Sequence, residues 1–590
     1  MTSTSLPLGI TCPQDKQSIY LVTENSTYVV GITPDTGLVL HLYWGPRLYS
    51  WDDIDPAQLA PERSSQDPPL TTAPEEYPVF GGLRYGQDCL KVTFLDSKTR
   101  ELDFIYSTHS IYRRQTYEEG EEQAYNNTLV IVLADRHYEK LQLELTFTLF
   151  AKTDIIERSA RIVNGLDSSL HIEKALSAAF HLPPTPRHLT TLNGAWSAET
   201  QVNTTPVMTN PSTGGGGMSY TIGSTHGIPS AQAYPYFALT SDSSSHPGQQ
   251  DTYFGSVAWS GNWIITVDVD YQGQTRIVGG LHPHDFGLTL LSGETFRTPE
   301  FIVGYSSAGL GGARRLLPRH LTTRRQAYLR GDQQRSALTT VNPVLYNSWE
   351  AAAFNVTLQQ QVELANQAKA MGVELFVLDD GWFKGRTSDN AGLGDWFYDS
   401  NKFPNGLKPL ADHVHSLDMK FGLWFEPEMV NPDSDLYRQH PDWVYHYPER
   451  PRSQSRNQLV LDMTNPNVQA YVYDQLHRNI ATIGIDYIKW DMNRPISEAG
   501  IQLSNGNRNR DAREVWIRHV EAFYSLLRRL KTAFPDLLIE SCCSGGGRAD
   551  PGVMKLVDQC WASDNTQPDA RLVIQHGISL ILPPKMMSCW

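Results

Sequence analysis

From residue 336 onwards the chain alternates short apolar runs with stretches of helical periodicity, and this alternation constrains the fold most strongly. The apolar runs are, in order, VLYNSWE, ELFVLDDGW, FGLWFEPE, DYIKWDM, LLIESCC, QCWASDN and KMMSC. Such repeats predict parallel strands joined by right-handed crossovers. An open doubly wound sheet usually carries a glycine fingerprint for a nucleotide, which this segment lacks. Nearly every run ends in acidic or aromatic residues, which favours a (β/α)8 TIM-type barrel over residues 336–590.

Residues 1–305 have a different pattern, in which runs rich in Val, Ile, Thr, Tyr and Phe are separated by turn clusters. Examples are STYVVGI, KVTFLD, TLVIVLAD, LQLELTFTLF, IIERSARIVN and NWIITVDVDY. Helical periodicity is almost absent, so this half is predicted to form a large N-terminal antiparallel β-sandwich. Residues 306–335 are basic and partly helical, and we interpret them as a solvated helical linker between the two domains.

Charge and composition exclude several classes of protein. The 590-residue chain is 40% hydrophobic and carries a formal net charge of -15, which disfavours nucleic acid and anionic membranes as partners. No run approaches about 18 apolar residues, so no membrane span is predicted. The amino terminus lacks a signal-peptide pattern, which favours the cytoplasm, although four N-x-S/T sequons leave secretion open. No metal-ligand spacing or cofactor motif occurs, so neither a metal nor a cofactor is predicted.

Acidic residues recur where the predicted barrel strands end. One such residue is often only the N-cap of the next helix. Eight on one rim, without a set of His or Cys ligands, instead favour acid and nucleophile chemistry at a glycosidic bond. The eight are Glu350, Asp379, Asp380, Glu426, Glu428, Asp491, Glu540 and Asp564.

Two of these acids differ in their neighbours. Lys489 and Asp491 lie two positions apart on one strand and therefore on one face, where the ammonium favours the ionised carboxylate that a nucleophile needs. A structural ion pair is the alternative. Asp564 has no cation among the three residues before it, which favours the protonated form of a proton donor. It could also cap the helix predicted near Ala570.

Other residues near the strand ends suit a sugar ligand. Asp379 and Asp380 are adjacent, so at least one is expected on the turn after the strand, and together they suit neighbouring sugar hydroxyls. The Gly545–Gly547 run either lets the backbone approach a ligand or forms a tight barrel loop. The candidate stacking faces are Trp349, Trp382 and Trp424.

At these positions the chain resembles glycoside hydrolase family 36, the larger α-galactosidases, which are related to family 27. The matching segments are NSWEA (347–351), LDDGWF (378–383), FGLWFEPEMVNPDSDLYRQHPDWV (421–444), YIKWDMNR (487–494), ESCCSGGGR (540–548) and WASDNTQPDAR (561–571). Their order and spacing agree with the family over residues 347–575. The first half, up to GAW at Trp196, resembles the family's β-sandwich more loosely.

The resemblance implies a retaining enzyme that removes terminal α-linked galactose from melibiose, raffinose or stachyose. It implies Asp491 as the nucleophile and Asp564 as the acid/base residue. The galactose contacts that carry over are Trp349, Asp379, Asp380, Trp424, Arg456, Lys489, Cys542 and Gly545. Some family members form tetramers in which a sandwich loop reaches a neighbour's site, so a homo-oligomer is possible here through the corresponding loop, 52–67.

The chain departs from the family pattern in two places. A two-residue insertion after Thr566 makes Asp569 a competitor of Asp564. NPSTGGGGMS replaces a more basic, His-containing stretch, so oligomer contacts or the acceptor side are expected to differ. Three alternatives stay open: a galactosyl transferase of the raffinose-synthase kind, an α-N-acetylgalactosaminidase and an inactive sugar-binding fragment. The stretch around Cys542 resembles the loop that crowds the C2 hydroxyl in galactosidases, which favours plain galactose.

The strand count gives one further expectation. QCWASDN is the sixth predicted strand and residues 585–589 begin a seventh, whereas a closed barrel has eight. The sequence thus predicts a C-terminally truncated family member, lacking the last strand and a C-terminal β domain. We expect the first and sixth strands to flank a gap, and the unpaired edges to lower solubility and activity.

Overall fold

The computed structural model describes residues 6–13, 17–54, 70–113, 127–182, 185, 187–207, 217–242, 250–270, 273–331, 342–501 and 510–589. Most of the loop 52–67 and of NPSTGGGGMS lies outside these residues. Within them, no helix is both long enough and apolar enough to span a bilayer.

The first half of the chain folds into strands, because its β-branched and aromatic residues pack well on pleated, half-buried surfaces. The described strands are β1 (Gly9–Thr11), β2 (Ser18–Val22), β3 (Ser26–Ile32), β4 (Val39–Pro46), β5 (Leu90–Phe94), β6 (Phe104–Tyr112), β7 (Thr128–Asp135), β8 (Leu141–Phe150), β9 (Ile155–Asn164), β10 (Leu170–Leu182), β11 (Arg187–Ala195), β12 (Ala198–Val207), β13 (Met218–Ser224), β14 (Ala233–Ser241), β15 (Thr252–Val257), β16 (Trp263–Val269), β17 (Thr275–Leu281), β18 (Leu288–Leu290), β19 (Thr295–Arg297) and β20 (Phe301–Ser306).

Three sheets arrange these strands, and their pairs are antiparallel. β1 to β4 pair in sequence order. A ten-stranded sheet has the order β12-β11-β14-β15-β20-β9-β8-β7-β6, with β19 beside β9, and a six-stranded sheet has the order β13-β16-β17-β10-β18, with β5 beside β10. The two larger sheets face each other, since Phe180 of β10 packs edge-on against Phe301 of β20 with ring centroids 5.5 Å apart. This is the antiparallel β-sandwich that the strand pattern predicted.

The basic segment after the sandwich forms α1 (Gly309–Gly331). Arg314, Arg315 and Arg319 are exposed, whereas Arg324 and Arg325 are partly buried, so this helix is solvated over only part of its surface. Arg324 Nε lies 2.9 Å from Glu157 of the sandwich, and Arg325 Nε donates to the Val557 carbonyl of the following domain at 2.9 Å. Because a partly buried guanidinium needs such partners, Arg324 and Arg325 join this helix to the two domains.

The second half alternates strands and helices. Its strands are β21 (Leu345–Asn347), β22 (Leu375–Leu378), β23 (Lys420–Phe425), β24 (Met429–Val430), β25 (Leu459–Val460), β26 (Tyr487–Trp490), β27 (Leu538–Ser541), β28 (Gln559–Trp561) and β29 (Met587–Ser588). Its helices are α2 (Trp349–Ala352), α3 (Leu358–Ala370), α4 (Lys408–Ser416), α5 (Asp435–Gln439), α6 (Pro466–Asn479), α7 (Val515–Ala533), α8 (Pro551–Met554) and α9 (Pro568–Ile578).

Seven of these strands form a parallel sheet in the sequential order β21-β22-β23-β26-β27-β28-β29, while β24 and β25 form a separate antiparallel pair. The seven strands with their crossover helices have the TIM-type barrel architecture that the sequence predicted. β29 pairs with β28 through Cys560↔Met587 and Trp561↔Ser588. The strands at the two edges of the described sheet are therefore the first and the seventh, not the first and the sixth as expected, because the short run near the last residue adds to the sheet.

The two-residue alternation of the barrel strands decides which side chains face inwards. Leu375, Val377, Tyr487 and Leu538 form a separate small apolar cluster, whereas their neighbours Phe376, Leu378 and Ile488 belong to the main core. Lys489 shares the face of Tyr487, and the following inward position is Asp491. Charged side chains at the carboxyl ends of the strands thus lie next to this small apolar cluster inside the barrel.

Candidate active site

A cavity of about 290 Å³ opens at the carboxyl ends of the barrel strands. Its lining residues are Trp196, Trp349, Glu350, Asp379, Asp380, Trp424, Arg456, Lys489, Asp491, Asn493 and Asp564. Eight of the ten site residues predicted from the sequence are in this set. Of the other two, Cys542 hydrogen bonds to Asp491 and Gly545 lies beside Asp564. The chain segments that were far apart in sequence therefore meet at one site.

Asp491 directly follows β26 and is only 5% exposed. Its Oδ2 accepts hydrogen bonds from Trp424 Nε1 at 3.1 Å and from Asn493 Nδ2 at 2.7 Å. Burial by itself raises the pKa of Asp491, but the Lys489 ammonium and the Asn493 amide outweigh burial and hold the pKa below its ordinary value. The side chain is therefore kept as a buried carboxylate.

Lys489 forms an ion pair with another carboxylate of the site, Asp379. Its Nζ lies 2.9 Å from Asp379 Oδ2, and Asn347 Nδ2 donates to the same oxygen at 2.6 Å. The Asp379 backbone N–H is held in turn by Ser348 Oγ at 2.9 Å. The sequence left an ion pair with Asp491 and support of a nucleophile as alternatives for Lys489. In the structure the ion pair is formed with Asp379, and Asp491 lies within the field of the ammonium.

Asp380 is oriented by an arginine. Arg386 Nε donates to Oδ1 at 2.9 Å and Arg386 Nη2 donates to Oδ2 at 2.8 Å, in a bidentate pair. The Gly381 N–H adds a bond of 2.7 Å. Burial raises the pKa of Asp380 even though Arg386 opposes it. Both adjacent carboxylates follow the end of β22 on the turn, and both line the cavity in fixed orientations.

Asp564 lies in the loop between β28 and α9 and is held by two indoles. Trp196 Nε1 donates to Oδ2 at 2.9 Å and Trp561 Nε1 donates to Oδ1 at 3.0 Å. The N-cap of α9 is Gln567, so Asp564 does not cap that helix. Asp569 lies in the first turn of α9, where it is exposed and is not among the residues that line the cavity.

The three tryptophans predicted as stacking faces have different positions. Trp349 and Trp424 line the cavity. Trp382 is fully buried, donates to the Trp424 carbonyl at 3.0 Å and stacks on Trp396 with ring centroids 6.2 Å apart. The prediction for Trp382 is wrong, because its indole points into the apolar core beneath the cavity.

The loop after β27 brings Cys542 and Gly545 to the site. Cys542 is 1% exposed, its thiol hydrogen bonds to Asp491, and burial raises its pKa well above the usual value, so it remains a neutral donor. Gly545 has a φ of 83°, and a Cβ there would lie 2.9 Å from the backbone N of Asp564. Glycine at this position thus permits the tight loop that brings two segments of the site together.

Three of the eight predicted rim acids do not line the cavity, namely Glu426, Glu428 and Glu540. All three are fully buried. Their hydrogen-bond donors are Gln458 Nε2 and the Asn493 N–H for Glu426, Trp490 Nε1 and Arg548 Nη1 for Glu428, and Tyr487 OH for Glu540. The expectation that all eight acids converge on one rim is wrong for these three, because a buried carboxyl needs protein donors and these point into the barrel walls.

Three residues of the site were not found from the sequence. Trp196 comes from the hairpin between β11 and β12, and the strand–helix pattern gives no signal for a residue of the other domain. Asn493 lies two residues after Asp491, so the same alternation could have indicated it. Arg386 follows Asp380 by six residues on an irregular loop, where no periodicity applies.

Two other features of the described residues bear on the choice of site. A larger cavity of about 520 Å³ lies in the sandwich beside Asp88 and Arg276, and none of its described lining residues belongs to the barrel. In the described ranges, no group of three or more His, Cys, Asp or Glu is arranged to hold a metal ion. Carboxylates, cations and aromatic faces meet instead at the barrel cavity.

Comparison with known proteins follows the same division of the chain. Residues 295–590 match the Melibiase family, and residues 37–291 match the glycosyl hydrolase family 36 N-terminal domain. The chain is 36% identical to alpha-galactosidase AgaA of Geobacillus stearothermophilus over 98% of this chain and 78% of that protein. It is 32% identical to alpha-galactosidase 1 of Pediococcus pentosaceus over 97% of this chain and 77% of that protein.

Solved structures resemble the whole described fold. The α-galactosidase from Lactobacillus brevis has a TM-score of 0.89 at 32% identity, covering 98% of this chain and 77% of that one. A variant of AgaA from Geobacillus stearothermophilus in complex with raffinose has a TM-score of 0.85 at 34% identity, covering 97% and 78%. These likenesses extend over the sandwich and the barrel together.

Proposed function

The chain belongs to the glycoside hydrolase family 36 α-galactosidases, and we propose that Asp491 is its nucleophile and Asp564 its acid/base residue. The enzyme hydrolyses terminal α-linked galactose with retention of configuration. The observation that carries the assignment is the pairing of these two carboxyls in one cavity, where Asp491 is held ionised by Lys489 and Asp564 is oriented by two indoles.

The reaction proceeds in two displacements. Asp491 attacks the anomeric carbon while the proton of Asp564 moves to the glycosidic oxygen, so the C–O bond to the leaving sugar breaks and a β-linked galactosyl ester forms. The ionised Asp564 then takes a proton from water, which attacks the same carbon and releases galactose. The buried Lys489 and the Trp424 and Asn493 donors stabilise the Asp491 carboxylate before attack and after release.

The remaining cavity residues provide recognition of galactose. Charged groups whose positions are already fixed bind hydroxyl groups at little entropic cost. Asp379 is fixed by its ion pair with Lys489, and Asp380 is fixed by its ion pair with Arg386. Aromatic faces suit the apolar side of a sugar ring. The proposed galactose contacts are Trp349, Asp379, Asp380, Trp424, Arg456, Lys489, Cys542 and Gly545.

The oligosaccharide beyond galactose is proposed to enter beside the sandwich. A second cavity of about 330 Å³ shares Trp196 and Arg456 with the first, and residues of both domains line it, including Ile228 and Pro495. Structures of AgaA variants contain raffinose and stachyose, and galacto-oligosaccharides of this kind are the proposed substrates here.

We also propose the domain limits 1–305, 306–335 and 336–590, and a homo-oligomer in which the loop 52–67 reaches a neighbour.

The activity is tested with a pair of chromogenic substrates. Release of p-nitrophenol from the α-galactoside, without release from the α-N-acetylgalactosaminide, is expected. Melibiose should yield galactose and glucose in equal amounts, whereas galactose transfer to a second sugar would indicate the transferase. A chain that binds galactose but turns over none of these substrates would be the non-catalytic sugar-binding protein.

Azide rescue tests the two roles separately. Asp491→Gly should lose turnover, and azide should restore it with a β-galactosyl azide as product, because the anion replaces the missing nucleophile. Asp564→Gly should give an α-galactosyl azide from the aryl substrate. Asp569→Gly is the matched control, since its exposed carboxyl lies outside the cavity, and an α-azide from this variant alone would reassign the acid/base role.

A further inference from the structure

The hairpin between β11 and β12 leaves the sandwich and contacts the loop that carries Asp564. Three consecutive loop residues are held. Glu199 accepts a hydrogen bond from Ser563 Oγ, Trp196 Nε1 donates to Asp564 at 2.9 Å, and Asn565 Nδ2 donates to the Ser197 carbonyl at 3.0 Å. The sandwich domain therefore contacts the loop before, at and after the proposed acid/base residue.

Glu199 is the buried member of this set. It is fully buried, its Oε2 accepts from Ser563 and its Oε1 accepts from the Ser197 N–H at 3.2 Å. Burial raises its pKa above the ordinary value, against the opposing effect of the Ser563 hydroxyl. Among the described residues Glu199 makes these hydrogen bonds but no ion pair. A buried carboxyl without a cation costs stability, so packing alone does not account for it.

The hydroxyl of Ser563 links Glu199 to the turn that carries Asp564. It donates to Glu199 and accepts from the Asn565 N–H at 3.0 Å, so a single hydroxyl fixes the turn around Asp564 from both sides. The Gly545 loop closes the other side, since a Cβ at Gly545 would lie 2.7 Å from Glu199 Oε1. Rotation of the turn is thus blocked while the hydrogen bond from Ser563 to Glu199 is intact.

The hairpin itself is rigid enough to act as a support. Ser197 and Thr200 both have positive φ values, 63° and 52°, which non-glycine residues adopt only where the surrounding contacts fix them. Thr200 Oγ1 donates to the Ile574 carbonyl of α9 at 2.8 Å. The hairpin is therefore anchored on the barrel at its base as well as at its tip.

We propose that Glu199 is a positioning residue for the proton-transfer step, and that by fixing Ser563 it holds the Asp564 carboxyl at the oxygen of the leaving sugar. The inference rests on the proposed role of Asp564. General acid catalysis requires the acid within hydrogen-bond reach of that oxygen, so small displacements are costly. The sandwich domain thus takes part in the chemistry of the barrel through a residue that does not touch substrate.

The dependence on the leaving group tests this role. A p-nitrophenolate leaves with little help from an acid, whereas the glucose of melibiose needs the proton. Glu199→Ala is expected to lower kcat/KM for melibiose by on the order of 10-fold to 100-fold more than for the aryl galactoside, within the typical contribution of a general acid. Glu199→Gln can keep only one of the two acceptor bonds, so it should fall between wild type and Glu199→Ala.

Two further variants keep the test decisive. Ser563→Ala removes the other half of the same hydrogen bond and should give the same selective loss, and the double variant should be no worse than either single one, because the two residues act as a unit. Thr200→Val is the matched control, since it removes a docking bond of the same hairpin that does not reach the Asp564 turn. It should lower the two kcat/KM values equally or not at all.

Equal losses on both substrates in Glu199→Ala and Ser563→Ala, or additive losses in the double variant, would overturn the inference. If Glu199→Ala does not fold, Ser563→Ala and Glu199→Gln carry the same comparison. Wild type that hydrolyses neither substrate would instead overturn the proposed function, so the two failures are distinguishable. Wild type active on both substrates, together with unselective variants, would leave the proposed function intact and assign Glu199 to packing alone.

Discussion

Single residues at the strand ends differ in how their charges are stabilised, and Glu426 is the clearest example. Burial and the charge of Asp491 raise its pKa from the ordinary 4.5 to about 7. Between these values the folded protein binds a proton that the unfolded chain does not, so the stability contributed by Glu426 declines as pH rises through this window. Glu426→Gln lacks this decline. The unfolding free energy of Glu426→Gln minus that of wild type should therefore become more positive between about pH 5 and about pH 8. The change should be at most about 3 kcal/mol, since one pKa unit corresponds to about 1.36 kcal/mol.

Glu428 provides the control for this measurement, because it is equally buried two residues away. Arg548 and His519 overcome the effect of burial and lower its pKa to about 2. Its contribution is present above the ordinary pKa and is lost only as pH falls from about 4.5 towards 2. Denaturant melts of Glu428→Gln should therefore run parallel to wild type between about pH 5 and about pH 8, although at lower stability. Parallel curves for Glu426→Gln would mean that its pKa is not raised.

At the scale of elements, the apolar runs of the sequence correspond one for one to the seven parallel strands, because period and length are local properties. The inward placement of Lys489 and Asp491 followed from alternation alone. The β11–β12 hairpin at the site could not be predicted, since no local pattern specifies which strands of a sandwich contact a barrel loop. For the same reason the sequence could not show that Asp491 faces the cavity whereas Glu428 faces Arg548.

The loop after β27 can be tested through its glycine. In Gly545→Ala the new Cβ would lie 2.7 Å from Glu199 Oε1 and 2.9 Å from Asp564 N, in addition to the cost of a positive φ. We expect a stability loss well above the roughly 1–2 kcal/mol of the backbone conformation alone, and a loss of kcat on the aryl galactoside. Gly372→Ala is the matched control, because its φ of 88° is similar and no atom lies within 4 Å of the new Cβ.

The comparison of these two glycine variants separates strain from collision. Gly372→Ala should lose only the stability that a positive φ costs a residue with a Cβ, and it should keep full turnover. Equal melting temperatures for the two variants would show that the loop after β27 adapts freely, which would contradict its role as a fixed wall between Glu199 and Asp564.

At the scale of the whole molecule, the sandwich and the barrel bury side chains in one continuous apolar core. Polar contacts cross the same boundary, since Ser260 Oγ of the sandwich donates to Asp550 Oδ2 at 2.7 Å and Tyr234 OH donates to the Gly546 carbonyl at 2.7 Å. A boundary of this kind favours unfolding of both domains together, whereas weakly joined domains unfold separately.

Asp550→Ala tests this coupling. The variant loses the N-cap of α8 and leaves the Ser260 hydroxyl without its carboxyl partner, so a destabilisation of about 2–4 kcal/mol is expected from the cap and the buried hydrogen bond together. Thr357→Ala removes the N-cap of α3, away from the boundary, and should cost about 1 kcal/mol. Far-UV circular dichroism and tryptophan fluorescence should each record one transition for both variants, at a lower temperature for Asp550→Ala. Two separate transitions in Asp550→Ala, one for strands and one for helices, would show that each domain is stable without the other. The hydrogen bond from Ser563 to Glu199 would then join two domains that unfold independently.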